Sequence, residues 1–126
     1  LDKLIKGTKH RIHRPNHFFS RIHVDDIAQT VISSIKKPNP GSIYNVCDDE
    51  AAEQQQVEAY AAKLLGIEPP PLIPFESAYK EMSPMAKTFW NDNRKISNKK
   101  IKRELGVQLL HPTYREGLNS VYQSIQ

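Results

Sequence analysis

A single cysteine, Cys47, among 126 residues excludes an internal disulfide and makes a reducing, cytoplasmic setting the expectation. Apolar runs are short. None approaches the roughly 20 residues needed to cross a bilayer, so no membrane partner is expected. The five glycines stand apart at positions 7, 41, 66, 106 and 117, which excludes a glycine-rich loop cradling a phosphate. The basic clusters hold no phenylalanine, tyrosine or tryptophan beyond Phe18 and Phe19, less than a stacking platform for nucleic acid would require. Internal repeats, low-complexity tracts and a Ser-His-Asp or Cys-His set with supporting context are also missing.

What remains is a folded, soluble composition, with 38% hydrophobic and 25% charged residues. The net charge of +4 is unevenly spread. Lys3, Lys6, Lys9, Arg11, Arg14 and Arg21 face only Asp2 in the first 23 residues, and Arg94, Lys95, Lys99, Lys100, Lys102 and Arg103 crowd a second stretch. Such clusters suit either a phosphorylated ligand or nucleic acid, or an ordinary solvated face.

The chain opens on Leu1, and Leu1 to Gly7 reads as the last turns of a helix whose start is not seen, so a longer polypeptide is expected. Residues 8–24 alternate short polar and apolar stretches around Pro15-Asn16 and predict a hairpin or loop. A helix over 25–37 follows, with Asp25 or Asp26 as cap and Ile27, Ala28, Val31, Ile32 and Ile35 at helical spacing. Residues 42–47 (Ser-Ile-Tyr-Asn-Val-Cys) are β-prone without polar alternation and predict a sheet strand buried on both faces, with its neighbours elsewhere. A helix from Glu53 to Leu65 stopped by Gly66, a proline-held connection over 69–74 and short helices over 75–92 come next. Ser97 is placed to cap a helix ending at Gly106, and Thr113 with Glu116 forms a capping box for the last one.

Four of the five histidines (His10, His13, His17, His23) lie within fourteen residues, but no cysteine joins them and the alternation turns neighbours apart, so no metal site is expected. Asp25 and Asp26 are read as helix caps, and Asp48-Asp49-Glu50 as the polar exit of a strand, rather than as acid–base pairs.

Four stretches carry a likeness. Arg21-Ile22-His23-Val24-Asp25-Asp26-Ile27-Ala28 resembles the "I-H-V-x-D-[ILV]-A" of extended short-chain dehydrogenases/reductases, the group of the NAD-dependent epimerases and dehydratases. Ile43-Tyr44-Asn45-Val46 resembles that family's late "YN[VIL]" strand. Ser97 to Gly106, ending Glu104-Leu105-Gly106, and Pro112 to Leu118 resemble its last two helices. The order and spacing match over residues 21–118.

The resemblance implies an α/β fold: the carboxy-terminal, substrate-side lobe of a Rossmann-type protein, mostly helices with a few short strands and incomplete alone. Residues 53–126 would form the helical lobe. It implies NAD or NADP and a small-molecule substrate for the full-length parent, an amino-terminal Rossmann half as partner, and no cofactor for this segment alone. Neither the glycine-rich fingerprint nor the Tyr-x-x-x-Lys pair is present, since Tyr60-Ala61-Ala62-Lys63 has the wrong spacing. No catalytic residue is therefore assigned, and the chain alone is expected not to turn over NAD(P)H. Phe19 stands where sugar-nucleotide epimerases carry an Arg that grips pyrophosphate, leaving Arg21 or Arg94 as anion-binding candidates. The substrate-side candidates are Phe19, Arg21, His23, Met85, Phe89, Trp90 and Arg94. The rival reading is a small stand-alone basic module that binds nucleic acid or protein.

Overall fold

The computed structural model describes residues 1–7 and 10–125. A short opening helix, α1 (Asp2–Ile5), leads through Gly7 (φ 70°) towards strand β1 (Arg11–His13). Residues 8 and 9 lie outside the described part, and the described residues of the 8–24 stretch form one strand followed by a loop. Asn16 (φ 62°) turns the chain away, so β1 pairs in parallel with β2 (Leu72–Pro74), in register Arg11 with Leu72 and Ile12 with Ile73. Further on, Phe19 makes an antiparallel bridge to Ala52, each backbone N–H donating to the other residue's carbonyl at 3.0 and 3.1 Å. The proline connection serves β1 directly: Pro71 O accepts from Arg11 N (2.8 Å) and Pro70 O from Arg11 Nε (2.8 Å).

Helix α2 runs Val24–Lys36 and is capped by His23 rather than by either aspartate. The His23 ring reaches back, and its Nδ1 accepts from the Asp25 N–H at 3.0 Å. Asp26, one turn in, is diverted inward. Its Oδ1 accepts from Leu110 N (2.8 Å) and Gln29 Nε2 (2.6 Å), and its Oδ2 accepts from His111 N (2.9 Å). Asp26 and Thr30 are the buried residues of α2. Its apolar residues point out, with Ile27, Val31, Ile32 and Ile35 exposed and Ile35 70% so. The helix is amphipathic with its apolar side in water.

Residues 42–47, expected as a sheet strand, form no ladder among the described residues. No strand lies alongside, so side chains hold the segment instead: Lys100 Nζ donates to Ile43 O (2.7 Å) and Asn98 Nδ2 to Cys47 O (3.1 Å). Cys47 is buried, while Ile43 is 81% exposed.

Helix α3 (Gln54–Leu65) ends at Gly66 in the left-handed conformation (φ 70°), and Ala61 and Ala62 press inward where it meets α1, β1 and the last helix. Two short helices, α4 (Phe75–Lys80) and α5 (Pro84–Asn91), follow β2, and the Ser83 hydroxyl caps α5. Helix α6 (Lys99–Leu105) begins at Asn98, not Ser97, although Ser97 Oγ still accepts from Lys99 N at 3.3 Å. Its Ile101 and Leu105 join Val107 in a small core over which Tyr44 and Leu109 pack. Helix α7 (Tyr114–Ser124) carries the Thr113/Glu116 capping box. Among the described residues no helix is long and apolar enough to cross a membrane.

Candidate functional site

The seven candidate residues fall in two places. Phe19 and Trp90 meet edge to face at 5.1 Å, with His17 stacked on Trp90 (5.0 Å) and Phe75 beyond it (5.9 Å). His17 is buried against the Trp90 carbonyl (Nε2 at 2.9 Å), and burial followed by the nearby Arg14 charge lowers its pKa. Arg14 also reaches the Trp90 carbonyl and lies 4.0 Å over the Phe75 ring. This cluster fixes the 14–19 turn to the end of α5. Phe89 and Arg94 border a shallow hollow of about 140 Å³ next to it with Phe18, Phe19 and Ile96, while Met85, one turn back on α5, is exposed. Arg94 is itself open to water, 3.8 Å from Asp92.

Arg21 and His23 stand elsewhere, in the wall of a cavity of about 320 Å³ under α7. Ile22, Val24, Val57, Leu118 and Val121 give it apolar walls, and Asp48, Thr113 and Tyr114 give it polar ones. A mostly apolar recess with a few convergent polar groups is the usual form of a small-molecule site. Three chain segments build it. The Asp48 N–H donates to Arg21 O (2.7 Å) and the Asp49 N–H to Pro112 O (2.8 Å), drawing the 48–50 turn between the 21–23 segment and the start of α7. Arg115 Nη1 on Glu50 Oε2 (2.6 Å) closes it from outside.

The electrostatics of this recess are unusual. Asp48 is buried, and burial pushes its pKa to about 6 against the opposing pull of the Glu50 N–H bond (3.0 Å) and of Arg21. Arg21 Nη2 donates to Gln54 Oε1 (3.2 Å), but its Nη1 is buried without a hydrogen-bond partner. Burial lowers the guanidinium pKa, and Asp48, Tyr114 and Glu50 work the other way. A carboxyl that titrates near pH 6 beside a half-buried cation is the kind of pair that binds or moves a proton. Asp48 was legible only as a polar strand exit, because nothing local marks the distant segments that bury it.

The basic stretch 94–103 is largely engaged within the molecule. Lys95 lies 4.0 Å over Phe18, Lys100 4.8 Å over Tyr44, and Lys102 pairs with Asp49 at 2.6 Å. The four clustered histidines do not converge: His13 lies on β1, His17 in the aromatic cluster and His23 on α2. Gly66 and Gly106 end helices rather than turning a strand into one, as the first glycine of a dinucleotide-binding loop does.

No protein-family profile matches the chain. It is 28% identical over 99 residues to a 3-diazoavenalumate denitrifying reductase from a Streptomyces species, covering 79% of this chain and 32% of that protein. A solved structure of a functionally unknown conserved protein from Silicibacter pomeroyi is 46% identical, with TM-score 0.88, over 94% of this chain and 42% of its own. A human epimerase family protein solved with NADPH superposes at TM-score 0.80 and 15% identity, covering 96% of this chain and 41% of its own. The RMD protein of Pseudomonas aeruginosa, complexed with NADPH, superposes at 0.64 and 11%, covering 96% and 37%. The chain spans about a third of the reductase and about two fifths of each solved structure.

Proposed function

We infer that this chain, whose fold is that of the carboxy-terminal part of an extended short-chain dehydrogenase/reductase, supplies the substrate side of an NAD(P)-dependent oxidoreductase or epimerase and docks on a separate dinucleotide-binding lobe. The observation that carries the reading is the outward face of α2. Ile27, Val31, Ile32 and Ile35, with Ile43 nearby in sequence, stand in water although their spacing is that of a buried stripe. Covering such a side chain fully is worth about 1.5–3 kcal/mol, so a face of this kind is stable only when something lies on it. Two human and bacterial structures of the same fold carry NADPH, and each is more than twice as long as this chain.

On this reading Arg21, His23 and Asp48 are the polar groups that meet a small-molecule substrate in the recess under α7. Phe89, Met85 and Arg94 form a second, exposed edge, and Phe19 and Trp90 hold α5 in place. The chain by itself has no residues suited to gripping NAD(P). A stand-alone basic module is less well supported, because Lys95, Lys100 and Lys102 are committed to Phe18, Tyr44 and Asp49. The test is to titrate NADPH with the 126-residue chain alone and again after adding the remainder of the Silicibacter pomeroyi relative. Association with that remainder, and NADPH binding only in its presence, is the expected result. Tight NADPH binding or turnover by the chain alone would overturn the reading.

A further inference from the structure

We propose that His23, Asp25 and His111 form a binding site for one divalent transition-metal ion. The site does not depend on the functional reading above.

The geometry comes first. His111 Nε2 lies 3.3 Å from Asp25 Oδ2, and His23 Nδ1 lies 3.6 Å from the same oxygen. One donor atom from each of the three residues falls within 4.8 Å of the others. A tetrahedral zinc ion with bonds of about 2.0–2.2 Å needs donor atoms roughly 3.2–3.6 Å apart, which the two pairs to Asp25 already meet, while the two histidine nitrogens must be drawn together. The two imidazoles lie close together, with ring centroids 3.9 Å apart and planes tilted by 35°.

Hydrogen bonds draw the three residues together: His111 Nε2 stands within hydrogen-bond reach of Asp25 Oδ2 at 3.3 Å. The Asp25 backbone N–H can only donate, and it donates to His23 Nδ1 at 3.0 Å, so that nitrogen carries a lone pair and no proton. That lone pair points at the N–H, and the Asp25 Oδ2 oxygen lies 3.6 Å from the same nitrogen. A cation placed between the two would draw on both as ligands. Taking up the ion costs the Asp25 N–H its capping partner and leaves that N–H free to bond water. The positive end of α2 also opposes a cation, but Asp25 and Asp26 in its first turn offset that field.

The surroundings hold the donors in place. The Asp26 carboxylate grips the N–H groups of Leu110 and His111, which fixes the backbone beneath the His111 ring. The His23 ring rests beside Gly117, where an added Cβ would meet its Cδ2 at 3.4 Å. The histidine side chains are 10% and 15% exposed and Asp25 is 56% exposed, so the ion would sit against a rigid wall with open positions on the solvent side. Two imidazoles and one carboxylate favour zinc, nickel, cobalt or iron over magnesium or calcium.

The experiment titrates Zn²⁺ into the 126-residue chain by calorimetry and follows the histidine ring protons by NMR. One ion per chain should bind with saturation below about 100 µM, and the ring signals of His23 and His111 should move together. Asp25→Asn, His111→Gln and His23→Asn, the last keeping a capping side chain, should each weaken uptake at least about tenfold. His10→Gln and His13→Gln should not. Should a variant unfold, the ring-proton shifts of the unaltered chain still locate the ion. No uptake at about 100 µM, or uptake that moves the signals of His10 or His13 instead, overturns the proposal.

Discussion

The Asp26 carboxylate takes the His111 N–H at 2.9 Å across 85 residues of chain, with the Leu110 N–H on its other oxygen. One buried side chain thus ties the start of α2 to the approach to α7. Replacing it by Ala leaves two part-buried backbone donors without their carboxylate and should cost about 1–3 kcal/mol, read from urea unfolding.

Asp26 also sets an acid limit. Burial alone would raise its pKa, but the bonds from Leu110, His111 and Gln29 outweigh that and hold it below the ordinary value. A folded pKa below the unfolded one means stability that is complete above about pH 4 and is lost as the pH falls through the folded value. Unfolding free energy measured from pH 5 down to pH 2 should drop less in Asp26→Asn than in the unaltered chain.

Asp48 works in the opposite sense. Its folded pKa of about 6 exceeds the unfolded value of about 3.9, so its contribution is fully present below pH 4 and is lost as the pH rises through 6. Relative to Asp48→Asn, the unaltered chain should lose up to about 3 kcal/mol between pH 4 and pH 7, seen as a difference between two denaturation series. Parallel curves would show that this carboxyl does not titrate in that window.

A charge on the outer face of α2 separates folding from docking. Ile35→Glu should shift the chain's own stability by no more than about 0.5 kcal/mol, because Ile35 is 70% exposed. The same change should abolish association with the remainder of the Silicibacter pomeroyi relative in a pull-down or calorimetric titration. Unaltered association would put the docking surface elsewhere.

Trp90→Ala removes the ring on which His17 and Phe19 pack and should cost about 2–3 kcal/mol, with the 14–19 turn gaining fast amide exchange.

Features set by neighbours in sequence were legible before the fold was known. Gly66 and Gly106 end helices in the left-handed conformation, and Thr113 with Glu116 caps α7, because each needs only residues three or four places away. The stripe on α2 was equally plain, but its pattern says which residues share a side and not which side meets protein. The cap on that helix was misread, since an aspartate is the better cap in isolation and only the distant Leu110 and His111 amides claim Asp26. The pairing of Arg11 with Leu72 carries no local mark at all. The candidate site shows the same division: Arg21 and His23 stood out by motif, whereas Asp48 acquires its shifted pKa from segments more than twenty residues away on either side.

The two strands, each three residues long, are separated by about 60 positions in the chain. At about 5–20 residues per second of synthesis, β1 waits roughly 3–12 seconds for its mate to be made. Throughout that interval Arg11 to His13 offers a bare backbone edge to any extended segment in reach. The order of manufacture therefore leaves this stretch open to a nascent-chain chaperone until β2 emerges.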